Sequence, residues 1–231
     1  MDGGITWAPS LNWNYDQTRG IWDIVMNPLN TNEVFAATTE GIYHTTDGGS
    51  TWNLVLNELM VMDLELDPVN PSTVYAGVGN TNSPSHGIWR TNDAGVTWTH
   101  LTNGLPPGTN QGRISLRINP VNHTSVVALI ADIFSTVGVY RSYDGGNSWS
   151  LVNGTEIVSY QGWYAKGLWI NADDTSRMMF GGVQVFRSDD NGNNILQVSN
   201  QNFGTDYIHA DIHDIVANPL DPDKLYILTD G

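Results

Sequence analysis

The sequence predicts an all-β fold, a β-propeller of four-stranded antiparallel blades, and three observations carry that prediction. One eight-residue pattern recurs: TTDGGSTW (45–52), TNDAGVTW (91–98), SYDGGNSW (142–149) and SDDNGNNI (188–195), with DGGITW (2–7) supplying most of a fifth copy. Its aspartates, Asp2, Asp47, Asp93, Asp144 and Asp190, lie 45, 46, 51 and 46 residues apart, a period that belongs to repeat architectures. Between copies, an apolar run closed in most cases by Asn-Pro or Asp-Pro leads into a β-branched or aromatic run, as in WDIVMNPLNTNEVFAAT and HDIVANPLDPDKLYIL. A further short apolar run (GIYHT, GIWRT, GVYRS, VQVFRS) precedes each full motif.

Within a unit each element has a reason. Asn, Pro and Asp turn the chain between the first two runs, whose Val, Ile, Leu and Tyr suit strands. The third run is the third strand, and the motif itself is the turn into a short fourth strand that starts at the Trp. Asp and Ser/Thr side chains can hold the backbone N–H groups of a tight turn, and glycine takes backbone angles closed to other residues. Asp47, Gly49 and Trp52, then Asp93, Gly95 and Trp98, then Asp144, Gly146 and Trp149, and finally Asp190 and Gly192 are therefore read as hairpin staples. Each Trp is expected to plug the seam to the next blade. A pattern present in every unit does not describe one active site.

The units divide the chain into complete blades at about 18–57, 58–104, 110–153 and 160–199, with partial blades at 1–16 and 208–231, all in one domain spanning 1–231. Two arrangements are compatible: a segment of a larger propeller, which the missing third strand favours, or a five-bladed ring closed by its two ends.

These motifs resemble the Asp box, or BNR repeat, of the sialidase-like propeller superfamily. QGWYAKGLWINADDTSRMMFGGVQVFRS and YIHADIHDIVANPLDPDKLYILTDG most resemble the sialidase-like or sortilin-like secreted proteins of gliding-type bacteria. The resemblance implies an extracellular or cell-surface location and a ligand face on the rim opposite the Asp boxes. It also implies remaining blades of a parent chain as partners, and two functional classes. One is a glycan- or protein-binding scaffold module, and the other is a glycoside hydrolase of sialidase-like or xyloglucanase-like type.

Composition narrows the partners. Twenty-four acidic residues against nine basic ones give a net charge of −15, which repels phosphate backbones and argues against nucleic acid. No apolar run reaches the ~20 residues needed to cross a bilayer, and the absence of cysteine excludes disulfides.

Candidate site residues fall on loops that lead into first strands or join second to third strands. They include Trp13, Asn14, Tyr15 and Arg19; Arg113; Tyr160, Gln161, Trp163 and Tyr164; Tyr207, His209, Asp211 and His213; and His86 and Asp230. His209, Asp211 and His213 alternate by two, so on a strand they share one face and could hold a divalent metal or simply fix the blade. Gln161, Trp163 and Tyr164 suit a sugar ring, by stacking and an amide hydrogen bond, or ordinary packing. Asp63 and Glu65, with Arg113 and Arg117, suit either an ion-pair seam or an arginine site for a carboxylate ligand. Arg90, Arg141 and Arg187 precede Asp boxes at equivalent positions and read as structural. Among carboxylates, Asp230 in LTDG faintly resembles the acid-bearing stretch of xyloglucanase-type hydrolases, with Glu40 at the equivalent place in the first full blade. Asp211 and Asp214 are the alternatives.

Overall fold

The computed structural model describes residues 4–11, 18–107, 112–164, 167–202 and 204–231. Four four-stranded sheets follow one another, each a simple meander in sequence order. The first holds β1 (Ile21–Met26), β2 (Val34–Thr38), β3 (Ile42–Thr45) and β4 (Asn53–Leu56). The second holds β5 (Val61–Leu66), β6 (Val74–Val78), β7 (Gly87–Thr91) and β8 (Thr99–Leu101). The third holds β9 (Ile114–Ile118), β10 (Val126–Ala131), β11 (Thr136–Ser142) and β12 (Ser150–Asn153). The fourth holds β13 (Leu168–Ile170), β14 (Met178–Gly181), β15 (Val185–Ser188) and β16 (Leu196–Gln197). A two-stranded sheet, β17 (Asp214–Asn218) and β18 (Asp221–Leu228), comes last. Residues 4–11 form turns without a strand, and Trp7 Nε1 donates to the Gly4 carbonyl at 2.9 Å, as Trp149 Nε1 does to Gly146 at 3.0 Å. Asp2, Trp13, Asn14 and Tyr15 lie outside the described residues.

Each sheet packs face to face on the next, so the core is a series of apolar seams. Phe35, Ile42 and Leu56 meet Val61, Leu64 and Val78 in the first seam. Tyr75, Ile88 and Leu101 meet Leu116, Ala128 and Trp149 in the second, and Val127, Leu129 and Val139 meet Leu168, Phe180 and Ile195 in the third. The first strands β1, β5, β9, β13 and β17 neighbour one another in that order and so line the inner edge of the stack. Both outer faces are apolar and bare: Ile24 and Met26 on the first sheet, Tyr226 and Leu228 on the last.

The box hairpins share one bonding scheme. In the third sheet Asp144 Oδ1 accepts from Ser142 Oγ at 2.8 Å and Ser148 N at 2.9 Å, Oδ2 accepts from Ser148 Oγ at 2.6 Å, and Ser142 Oγ accepts from Gly146 N at 2.7 Å. Asp47, Asp93 and Asp190 repeat it with Thr45/Thr51, Thr91/Thr97 and Ser188/Asn194. Donors converging on the ionised form pull Asp47, Asp93 and Asp144 down to about 2. Gly146 sits at φ +86°, where a Cβ would meet Leu101 and Tyr75. In the second sheet Ala94 takes a left-handed position, φ +56°, that Gly48 and Gly145 fill elsewhere.

One expectation about the box fails. The Trp plugs the seam to the preceding blade, not the next: Trp149 of the third sheet joins the core it shares with the second, and Trp98 of the second packs into the core it shares with the first. In the third and fourth sheets the hairpin is clasped from the preceding blade. Tyr75 Oη donates to the Gly145 carbonyl at 2.9 Å, Arg90 reaches the same carbonyl, and Arg141 Nη1 donates to Asn191 Oδ1 at 3.0 Å. Arg90 and Arg141 are thus inter-blade clasps, while Arg187 turns to Asp189 at 2.8 Å.

Candidate functional site

The inner strands carry charge at repeated positions. Asp23 Oδ2 on β1 accepts from Leu64 N of β5 at 3.2 Å, and Asp63 Oδ2 on β5 accepts from Leu116 N of β9 at 2.7 Å. Each carboxylate therefore ties its strand to the next. Glu65 Oε1 does the same to Ile118 N at 3.0 Å. Arg117 of β9 lies among them, 3.6 Å from Glu65, 4.0 Å from Asp63 and 3.4 Å from Asp214 of β17. Burial pushes Glu65 up to about 7 against the pull of Arg117. Burial also works against the Arg117 charge, yet Glu65, Asp63 and Asp214 together hold it above its ordinary value. Arg117 thus belongs to a seam of ion pairs.

Arg113 is held mainly elsewhere, though it feels the charge of Asp63. It sits just before β9, donates from Nη1 to the Tyr164 carbonyl at 2.8 Å and lies 5.2 Å over the Trp22 ring, and burial lowers its pKa. Among the described residues Arg113 and Arg117 make separate contacts.

The loop between β12 and β13 crosses the rim opposite the boxes. Tyr160 N bonds Phe134 O at 2.8 Å, Gly162 O accepts from Arg113 N at 2.7 Å, Trp163 N bonds Ile133 O at 3.2 Å, and Trp163 O accepts from Asn80 Nδ2 at 3.1 Å. These bonds to the second and third blades fix its course. They leave Trp163 exposed beside Tyr164, ring centroids 5.1 Å apart. Tyr164 packs edge-on to His213 at 4.8 Å, and its hydroxyl lies 3.3 Å from Asp230 Oδ1 and 3.4 Å from His213 Nε2. His213 Nε2 closes the triangle by bonding Asp230. That bond, first, holds Asp230 below the usual carboxylate range, so Nε2 is the donor. Removal from water and the Asp230 carboxylate raise Tyr164. Glu40 in the first blade repeats the arrangement with Arg19 at 2.8 Å and Tyr43 at 2.8 Å.

The strand alternation expected of His209, Asp211 and His213 is not found. Residues 209–213 are not a strand, since β17 starts at Asp214. Asp211 adopts φ +67° and bonds Val183 O of the fourth blade, which breaks the alternation. His209 turns to its neighbour's carbonyl (Nδ1 to Ala210 O, 3.1 Å) and packs under Gly231, whereas His213 turns to Asp230. No group of three ligating side chains forms among the described residues. The structure brings together Arg113, Trp163, Tyr164, His213 and Asp230. It leaves Asp214 in the ion-pair seam and His86 against Asn80 O at 3.3 Å. Sequence reasoning missed Trp22. Its signal was available, because Trp22-Asp23 aligns with His213-Asp214 in the repeat, and a bulge at Ile21/Asp23 re-aims it.

What this cluster can do chemically is limited. Asp230 is ionised and anchored, the form of a base or nucleophile and not of a general acid at neutral pH. The surrounding aromatic rings, phenol and imidazole offer stacking and hydrogen bonds.

No family model matches the sequence, and none of the curated proteins matches it significantly. Solved structures do. The GH74 enzyme of Niastella koreensis superposes with a TM-score of 0.66 at 20% identity over 88% of this chain and 34% of that one. YCF48 from Cyanidioschyzon merolae gives 0.58 at 14% over 90% and 63%, and an auxiliary nutrient binding protein from Bacteroides ovatus gives 0.62 at 13% over 90% and 56%. The fold is a β-propeller. The chain spans about a third of the GH74 enzymes' length and about three fifths of the others'. No helix among the described residues is long and apolar enough to cross a membrane.

Proposed function

We propose that this chain is an extracellular Asp-box propeller module that binds a glycan or a protein on the rim opposite the boxes, within a larger secreted or surface protein. The observation that carries the reading is the Tyr164–His213–Asp230 triangle with Trp163 exposed beside it. Polar groups and aromatic faces converge there from different blades on rigid supports. Solved neighbours titled as nutrient binding, and one titled as bound to a D1 peptide, are compatible with such use of the fold. The bare apolar faces at Ile24 and Met26 and at Tyr226 and Leu228 suit further blades. So does Asp214, which occupies the repeat position from which Asp23 and Asp63 each grip the next inner strand.

A glycan array and a purified extracellular protein panel test the reading, comparing wild type with Tyr164→Ala and Asp230→Ala. Binding that both substitutions abolish supports it, and binding that neither alters refutes it. A hydrolase is the second reading, favoured by the placing of Asp230 against Tyr164 and His213 beside an exposed Trp163. That role needs a partner carboxyl about 5–9.5 Å away. Release of reducing ends from β-glucans, lost in Asp230→Asn, is its test.

A further inference from the structure

We propose that the cavity on the rim of the fourth blade, between Tyr160 and Gln201, is a subsite for one neutral saccharide unit. The inference rests on reading this rim as the binding face and names the ligand class at a place outside the channel-mouth triangle. The cavity holds about 500 Å³, inside the range of roughly 300–1,000 Å³ typical of small-molecule sites. Four separate segments line it: the loop after β12, the β14–β15 turn, the end of β16 with the chain beyond it, and the approach to β17.

Four of the lining residues are glutamines: Gln161, Gln184, Gln197 and Gln201. An amide both donates and accepts, as a sugar hydroxyl does, so a set of amides matches a polyhydroxylated surface better than it matches an ion. The bonding within the protein leaves complementary ends available. Gln184 commits its oxygen to Ser199 Oγ at 3.2 Å and keeps its NH₂, while Gln197 commits its Nε2 to Ser199 O at 2.8 Å and keeps its oxygen. The Gln161 side-chain oxygen is buried with no hydrogen-bond partner among the described residues.

Tyr160, 80% exposed, presents a ring on which a sugar face can stack. Its backbone is held at φ +70°, with Ser159 at +38° and Asp211 at +67°. Three of the lining positions are therefore strained, as happens where surroundings fix a binding geometry. Among the described residues no basic side chain lines the cavity and Asp211 is its one carboxylate, so acidic sugars are disfavoured.

The test is calorimetric titration with cellotetraose, chitotetraose and mannotetraose, against tetragalacturonic acid and sialyllactose. The expected result is binding of at least one neutral tetrasaccharide and neither acidic one, with Tyr160→Ala and Gln161→Leu each weakening it about tenfold. The exposed Tyr160 can be removed without loss of fold, so an unfolded Gln161→Leu protein still leaves a decisive variant. Binding abolished by Asp230→Ala but unchanged by Tyr160→Ala overturns the subsite and leaves the rim reading standing. Binding of no sugar also overturns it, and a protein partner sensitive to Asp230→Ala would then sustain the rim reading alone. Equal binding of acidic and neutral sugars overturns the assignment of ligand class.

Discussion

Replacing Trp149 with Ala should open the seam between the second and third blades. The indole is only 4% exposed and packs among Tyr75, Ile88 and Leu101 of the neighbouring sheet. A buried Trp removes ~150–250 Å² from water. At ~25 cal/mol per Å² this is about 4–6 kcal/mol, an upper bound because the unfolded chain already buries part of that area. Measured truncations of buried Trp and Phe cost about 3–5 kcal/mol, so the expected loss is about 3–4 kcal/mol. Trp52 occupies the same box position in the first blade but is only half-buried, with Nε1 on Ser10 Oγ at 2.9 Å. Trp52→Ala should therefore cost about half as much. Urea denaturation followed by far-UV circular dichroism measures both. Amide exchange should rise in β6, β7 and β9 of the Trp149 variant before it rises in β14. Equal losses in the two variants, or a Trp149→Ala cost below about 1 kcal/mol, would refute the seam argument.

Three other outcomes follow from the boxes and the inner strands. The box aspartates Asp47, Asp93 and Asp144 have folded pKa values of about 2 against 3.8. Their stabilisation is therefore present above 3.8 and lost as pH falls through 2, and Asp144→Asn should flatten that acid limb in a pH series of urea midpoints. Glu65 works in the opposite sense. Raised from 4.5 to about 7, it favours the fold below 4.5 and loses that contribution as pH rises through 7, so wild type should weaken across this window while Glu65→Gln stays level. Ala94→Gly should stabilise by about 0.5–1 kcal/mol in thermal unfolding, because alanine at φ +56° pays a steric penalty that glycine avoids.

Much of the fold was legible because the repeat states it locally. Ser142, Asp144, Gly146 and Ser148 lie within seven residues, and their hydrogen bonds need nothing from elsewhere. The strand patterns likewise carry their own turns. What was not legible depends on which blade touches which. The direction of the Trp149 indole follows from the clasp of Tyr75 and Arg90 on Gly145, some 70 and 55 residues away. Alternation at His209, Asp211 and His213 fails because the Asp211 backbone is captured by Val183 of the neighbouring blade. Arg113 and Arg117, four residues apart, part company because one meets a Trp22 ring lifted by a bulge and the other meets carboxylates from two further strands. The glutamine cavity is legible in sequence only at Gln161, because Gln184, Gln197 and Gln201 come from segments spread over the next 40 residues.

The proposed ligand recognition belongs to the rim opposite the box hairpins. Its most direct test is a heteronuclear NMR titration with the neutral tetrasaccharides, following the Trp indole and His imidazole resonances. Shifts are expected at Trp163, His213 and Trp22, with Trp52, Trp98 and Trp149 unmoved. Shifts confined to the box tryptophans, with the opposite rim silent, would contradict it.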